Sequence, residues 1–304
     1  MDHILYKYVL KKWINKDFLN YETLSGNSNN GAIDLLYEKA ELINWRAFSE
    51  NSNERAISLL EKNIDKIYWS SLTLNNDDKA IKLLINNQKF INYHLLARNN
   101  CNAASELLLN NLNCVNLNYL ALNNSDKIIN FLKNNYNNIN WYLLSHNKHN
   151  EAIKMLNIKL KNDINLYPGY VDICLQYINW HMLSKNNSDE AIILLKEYPH
   201  KISWDCLSSN SNIEAVRMLK ENPDKICWKN LSSNENEEAL KILEKNKDNI
   251  DWENLSKNFN IFDKFYNYTF IKNRMLIIKE ELIKKIFHYN RVQKFWIDKD
   301  FFCF

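Results

Sequence analysis

Apolar positions recur along this chain with a period of 24 residues. Counted as position zero, an aromatic anchor stands at Tyr21, Trp45, Trp69, Tyr93 and Trp141, with Leu117 in the same register, and again at Trp180, Trp204, Trp228 and Trp252. A fixed period of this size is the signature of a repeat array. Position +3 is Leu24, Phe48, Leu72, Leu96, Leu120, Leu144, Leu183, Leu207, Leu231 or Leu255. Residues three apart are neighbours on a helix surface, so anchor and +3 predict a short first helix, A. Positions +11, +12 and +15 give a second stripe at helical spacing, with Ala56, Ala80, Ala104, Ala152, Ala191, Ala215 and Ala239 at +11 and leucines from Leu36 to Leu243 at +15. That stripe predicts a second helix, B, with alanines where the two helices approach. One such pair has too little core to stand alone. Stacked, the anchors and the +3, +12 and +15 residues make a continuous core.

The polar columns punctuate these helices. The residue before the anchor is mostly Asn, Ser or Asp, and position +8 is Asn, Asp or Ser in eight of ten units. Both are N-cap positions, where a side-chain oxygen accepts a helix-start amide. Acidic residues such as Glu54, Asp78, Glu214 and Glu238 follow in the first turn of helix B, as the helix dipole favours. Asn63, Asn87, Asn111, Asn135, Asn222 and Asn246 close helix B at +18. Position +6 is Asn in all ten units, from Asn27 to Asn258. With only three glycines in the chain, these asparagines are expected in the left-handed conformation that ends helices.

The reading is therefore all-α: an α-solenoid of about ten 24-residue helix-turn-helix repeats with N- and C-terminal helical caps. Residues 1–20 form the N-terminal cap, with Leu5, Tyr8, Val9 and Trp13 as its apolar stripe. Residues 21–156 are a first repeat block and 180–258 a second. Between them, 157–179 breaks the period: Leu166 reads as a degenerate anchor, Pro168-Gly169 as a turn, and Val171 to Tyr177 as a helix B without its helix A. That break is either a tolerated insertion or a kink that alters curvature or makes a pocket. Residues 259–304 are a helical cap, with an amphipathic helix over 271–288 carrying Met275, Leu276, Ile278, Leu282, Ile286 and Phe287.

Composition narrows the chemistry. The formal net charge is +3 over 304 residues, short of the concentrated basic stripe that a nucleic-acid footprint needs. Six scattered cysteines include no CxxC pair, which argues against a disulfide framework or zinc site and for a reducing compartment. The N-terminus lacks a signal-peptide core, and no run reaches the ~18 apolar residues that span a bilayer. Phosphate-loop, dinucleotide, GxSxG and HExxH motifs are absent. His146 and His149 have an HxxH spacing, but they fall at a loop and a cap position. Cys206 and Cys227 each sit beside an anchor. No convergent catalytic set emerges, so the chain reads as no enzyme, with no cofactor and no metal.

The segment NPDKICWKNLSSNENEEALKILEKN at 222–246 resembles the NPDKINWxxLSxNPNAIxLLEKN repeat of asparagine-rich, tryptophan-anchored repeat proteins in giant (nucleocytoplasmic large) DNA viruses. FHYNRVQKFW at 287–296 is similar to the HPSRVxKW element that closes many of them. Here the proline of the NP step is mostly replaced, by Ser28, Ser52, Asn76, Ser211 and Glu235, and Tyr289-Asn290 stands where the family has Pro-Ser. The resemblance covers nearly the whole chain. It implies a viral protein in the cytoplasm of an infected cell, a viral factory or a virion, and it implies no chemistry.

Function must then lie in the outward columns of helix A, positions +1, +2 and +5. In the outer units these are mostly polar. In the middle they turn apolar and aromatic: His94, Leu95 and Arg98; Tyr119 and Leu122; Tyr142, Leu143 and His146; His181, Met182 and Lys185. Contiguous exposure of this kind marks an interaction surface, for which Tyr and Arg are typical anchors. Packing against a neighbouring turn explains the same residues. The expectation is a non-enzymatic protein-protein interaction scaffold holding a host or viral protein. The alternatives are a nucleic-acid-binding solenoid, with Tyr119 and Tyr142 stacking on bases, and a structural virion component. No membrane partner is expected.

Overall fold

In the computed structural model, which describes residues 6–266 and 268–286, the chain is 69% helical with 21 helices and almost no sheet. Consecutive helices pack as an all-α repeat solenoid. Lys12–Ile261 forms one compact unit, and the segments flanking it up to Lys11 and from Phe262 form a second.

Repeats 1 to 9 have three pieces where two were expected; the tenth has helix A, Trp252–Lys257, and a 3₁₀ turn, Phe259–Ile261, with no helix B. Helix A runs four to six residues, as in Trp45–Glu50, and helix B eight or nine in the regular repeats, as in Glu54–Lys62. A 3₁₀ turn such as Ile64–Lys66 follows. The capping columns do what their chemistry dictates. Asn44 accepts from Ala47 N at 3.1 Å and Asn53 from Arg55 N at 2.9 Å. At +18, Asn63 donates to Leu59 O at 2.9 Å, closing helix B. In repeats 1 to 9, columns +3, +11, +12 and +15 are buried, from Leu24, Ala32, Ile33 and Leu36 to Ala239, Leu240 and Leu243.

The anchors are not part of that sealed core. The tryptophans are half-buried, and Leu117 is 38% exposed. Several indoles lie instead against the 3₁₀ turn region of the array. Phe90 stacks on Trp69 at 4.5 Å and 6°, and Lys66 and Lys225 cover Trp45 and Trp204 at 4.7 and 4.5 Å.

The +6 asparagines also differ from expectation. No described non-glycine residue has positive φ, and Asn51, Asn186 and Asn258 are extended. Their side chains are buried rungs instead. Asn51 Nδ2 donates to Asn27 O and Ser25 O of the preceding repeat at 3.0 and 2.9 Å, while its Oδ1 accepts from Asn53 N at 2.9 Å. One amide thus satisfies three backbone groups that no helix or strand could reach. A second buried column, at +4, was not anticipated. Ser25 Oγ donates to Tyr21 O and accepts Asn44 N of the next repeat at 3.0 Å, and Ser49, Ser184, Ser208 and Ser232 repeat the link.

The asparagine ladder is a circuit. Asn27, in the first repeat, donates to Ser256 O and Asn258 O of the tenth at 3.1 and 3.0 Å. Asn20 N reaches Ser256 Oγ at 2.9 Å, and Asn29 Nδ2 reaches Phe259 O at 3.1 Å. Phe18 packs on Trp252 at 5.2 Å, where Phe90 packs on Trp69. Within Lys12–Ile261 the solenoid therefore closes into a ring of ten repeats, and its terminal faces cover each other. The stripe expected to form an N-terminal helix is different in kind. Tyr6–Leu10 (β1) is a strand paired antiparallel with Phe262–Tyr266 (β2), Leu10 opposite Phe262. Tyr268–Ile286 is the expected C-terminal helix. Leu5, Phe287 and the 287–296 segment lie outside the described residues.

The irregular segment leaves the ladder in register. Asn186 Nδ2 donates to Asn147 O at 2.6 Å, across 39 residues in place of 24. The extra chain is placed beside helix B: Asn150–Leu166 extends to 17 residues, then Val171–Gln176 follows. Leu166 is no anchor; it ends the long helix with 70% exposure. Only the second bond of that rung is loosened, Asn186 Nδ2 to Ser145 O at 3.5 Å.

Candidate functional site

A cavity of about 630 Å³ opens on the helix-A face of repeats 4 to 7, beside the loosened rung. Five of the residues singled out in the sequence line it. Arg98, Leu122, His146 and Lys185 come from column +5 of four successive repeats, and Met182 from +2. Column +6 is fixed as a buried rung, so +5 must face away from the core, which is why one column serves all four. Three further lining residues, Asn100, Asn124 and Lys148, belong to column +7. Sequence reasoning passed over that column, treating it only as the place of a lost proline. Its signal was the run of Asn at +7 in repeats 3 to 5.

The +7 asparagines have fixed orientations. Asn76 Oδ1 accepts from Asn100 N at 2.9 Å, Asn100 Oδ1 from Asn124 N at 2.6 Å, and Asn124 Oδ1 from Lys148 N at 2.7 Å. With each oxygen tied to the next backbone, the amide N–H₂ groups of Asn100 and Asn124 remain as donors at the cavity.

His146 is held neutral. Asn179 Oδ1 caps its helix by accepting Met182 N at 3.1 Å, so its Nδ2 faces His146 Nε2 at 3.2 Å. That nitrogen must accept, which leaves the ring proton on Nδ1. Burial, and then the nearby Arg98 charge, hold His146 below the ordinary histidine pKa. The residue that fixes it, Asn179, is the last of the irregular segment.

The lining holds three cations and no carboxylate. Among the described residues Arg98, Lys148 and Lys185 form no ion pair, whereas lysines on helix B commonly do, as in Lys133–Glu151 at 2.9 Å and Lys220–Glu238 at 2.7 Å.

The other predicted residues are spread along the face. His94 and Tyr119 meet edge to face at 5.8 Å, and Tyr119 and Tyr142 are 38% and 50% exposed. His181 Nδ1 lies 3.1 Å from Ser203 Oγ. Leu143 is half-buried, and Leu95 lines a separate depression with Arg46, Glu50 and Leu74. The HxxH pair does not converge. His149 caps helix B through Nδ1 to Glu151 N at 3.2 Å and pairs with Asp126 at 2.9 Å, while His146 faces the cavity. Cys206 and Cys227 are free thiols. Among the described residues, no helix is long and apolar enough to cross a membrane.

Comparison with family models, with curated proteins and with solved structures returned no match.

Proposed function

We propose that this chain is a non-enzymatic interaction scaffold whose helix-A face in repeats 4 to 7 holds a host or viral protein, in the cytoplasm of an infected cell. The observation that carries the reading is the division of labour within each repeat. Columns +3, +4, +6, +11, +12 and +15 are engaged in core or ladder. The outward columns are left free to vary, and in repeats 4 to 7 they carry two exposed tyrosines and line a cavity rich in cations. Exposed aromatics on a rigid scaffold are typical binding anchors. Viral origin follows from the repeat's resemblance and belongs to the same proposal.

The test is a pull-down from infected-cell lysate, with and without nuclease, comparing wild type with the Tyr119→Ala/Tyr142→Ala variant. A discrete protein that survives nuclease and is lost in the variant supports the scaffold. Recovery of nucleic acid alone overturns it in favour of a second reading, since exposed tyrosines beside cations are also what single strands require. Self-association alone, read by light scattering, would point to a structural role in the particle.

A further inference from the structure

We propose that the cavity on repeats 4 to 7 is an anion subsite, built to take the carboxylates of an extended acidic peptide segment. This deepens the scaffold reading and rests on it.

Every polar group directed at the cavity and described above is a donor. Among the described residues Arg98, Lys148 and Lys185 bring charge without an ion-pair partner, and no carboxylate lines the wall to neutralise them. Asn100 and Asn124 have their oxygens tied to backbone N–H groups at 2.6 and 2.7 Å, so they present N–H₂. His146 has its acceptor nitrogen engaged by Asn179, so it offers N–H. A wall of donors matches a ligand with acceptors only, and a carboxylate is the commonest such group on a protein. A cationic partner would leave these donors unsatisfied, which is costly in a recess.

The layout favours an extended chain over a compact ion. The cations come from repeats 4, 6 and 7, on a face where neighbouring helices lie about 8–10 Å apart. An extended peptide advances about 3.3 Å per residue, so acidic residues about three apart meet successive repeats. A lone phosphate would reach only part of the set. Leu122 and Met182 lie among the donors and accept apolar side chains between the acids. The second cavity on the same columns, over repeats 10 and 1 to 3, carries Glu22 and Glu50 and serves as an internal control.

The full-length protein is immobilised and exposed to a pool of randomised peptides of about ten residues, long enough to span the three cations, and the retained sequences are read. Asp and Glu should be enriched about threefold or more over the input, an electrostatic preference that weakens with added salt. The Arg98→Gln/Lys148→Gln/Lys185→Gln variant, with an unchanged melting temperature, should retain a pool of input composition. Equal enrichment on that variant, or no acidic enrichment on wild type, overturns the proposal. So does preferential retention of a randomised single-stranded DNA pool offered in competition. Acidic enrichment can fail while a protein partner is still lost on Tyr119→Ala/Tyr142→Ala. That outcome removes the acidic ligand and leaves the scaffold reading standing.

Discussion

Five residues past the anchor, repeats 4 to 7 carry Arg98, Leu122, His146 and Lys185, while repeats 10, 1, 2 and 3 carry Lys257, Gly26, Glu50 and Leu74. Both sets line cavities, of about 630 and 500 Å³, on the same helix face. Beneath them the asparagine rungs are alike. Asn123 donates to Ala97 O and Asn99 O at 3.1 and 2.6 Å, and Asn27 to Ser256 O and Asn258 O at 3.1 and 3.0 Å. The two regions therefore share a frame and differ in what they display. One is cationic without a carboxylate; the other holds Glu22 and Glu50, and its single lysine, Lys257, pairs with Glu253 at 3.4 Å. Fold and surface display are separable in this architecture, since columns +4 and +6 carry the first and columns +5 and +7 the second.

The largest effects should ignore that difference. Asn123→Ala in the cationic arc and Asn234→Ala outside it each strip a buried amide from three backbone groups. At about 1–3 kcal/mol per unpaired buried group, each should lose about 3 kcal/mol or more in chemical denaturation. A neutral result at either site would show that the ladder does not bear the ring's stability. Leu132→Ala, in a column buried in repeats 1 to 9, should lose about 2–5 kcal/mol. If it is neutral, the +15 column is not core.

Smaller effects should separate the arcs. Arg98→Gln/Lys148→Gln/Lys185→Gln should leave stability within about 0.5 kcal/mol, as for exposed substitutions. The same variant should weaken an acidic ligand about tenfold or more, that is, about 1.4 kcal/mol. Tyr142→Ala should likewise spare the melting temperature and weaken the partner; a large loss of stability would place Tyr142 in the core. The smallest effect concerns His146. Its folded-state pKa lies below the unfolded value, so the unfolded chain binds the proton more readily. Stability from this group is present above about pH 6.5 and declines as pH falls below it, toward the folded pKa. Melting curves between about pH 7 and 5 should fall more steeply for wild type than for His146→Gln; equal slopes would refute the neutral, Asn179-bound imidazole.

Much of the frame was legible because it repeats. Ten copies of a +3 leucine or phenylalanine and nine +15 leucines leave no other reading than paired helices. The +6 asparagine was legible as structural but was assigned the wrong geometry. A left-handed site tolerates glycine, yet none of the ten positions is glycine, and that absence was the signal for a side chain needed for its amide. The buried +4 column was hidden because its serines look like surface residues until their hydroxyls bond across repeats. Ring closure was not legible, since it depends on the sum of small rotations between repeats that no single column encodes. The irregular segment read as a lost helix because a 39-residue spacing does not say on which side the extra chain is placed. Of the site, Arg98, Leu122, His146, Met182 and Lys185 were found from their column, whereas Asn100, Asn124 and Lys148 were missed. A column recognised for what it had lost was not examined for what it presents.

The most direct test of the account places one photo-crosslinking residue on the helix-A face of two different repeats. One protein carries it at Tyr142, in repeat 6, and the other at Asn230, in repeat 9. If repeats 4 to 7 are the binding arc, illumination in infected-cell lysate should attach a discrete protein at position 142 and not at 230, and excess acidic peptide should suppress the adduct. Equal labelling at both positions, or adducts with nucleic acid alone at 142, would contradict it.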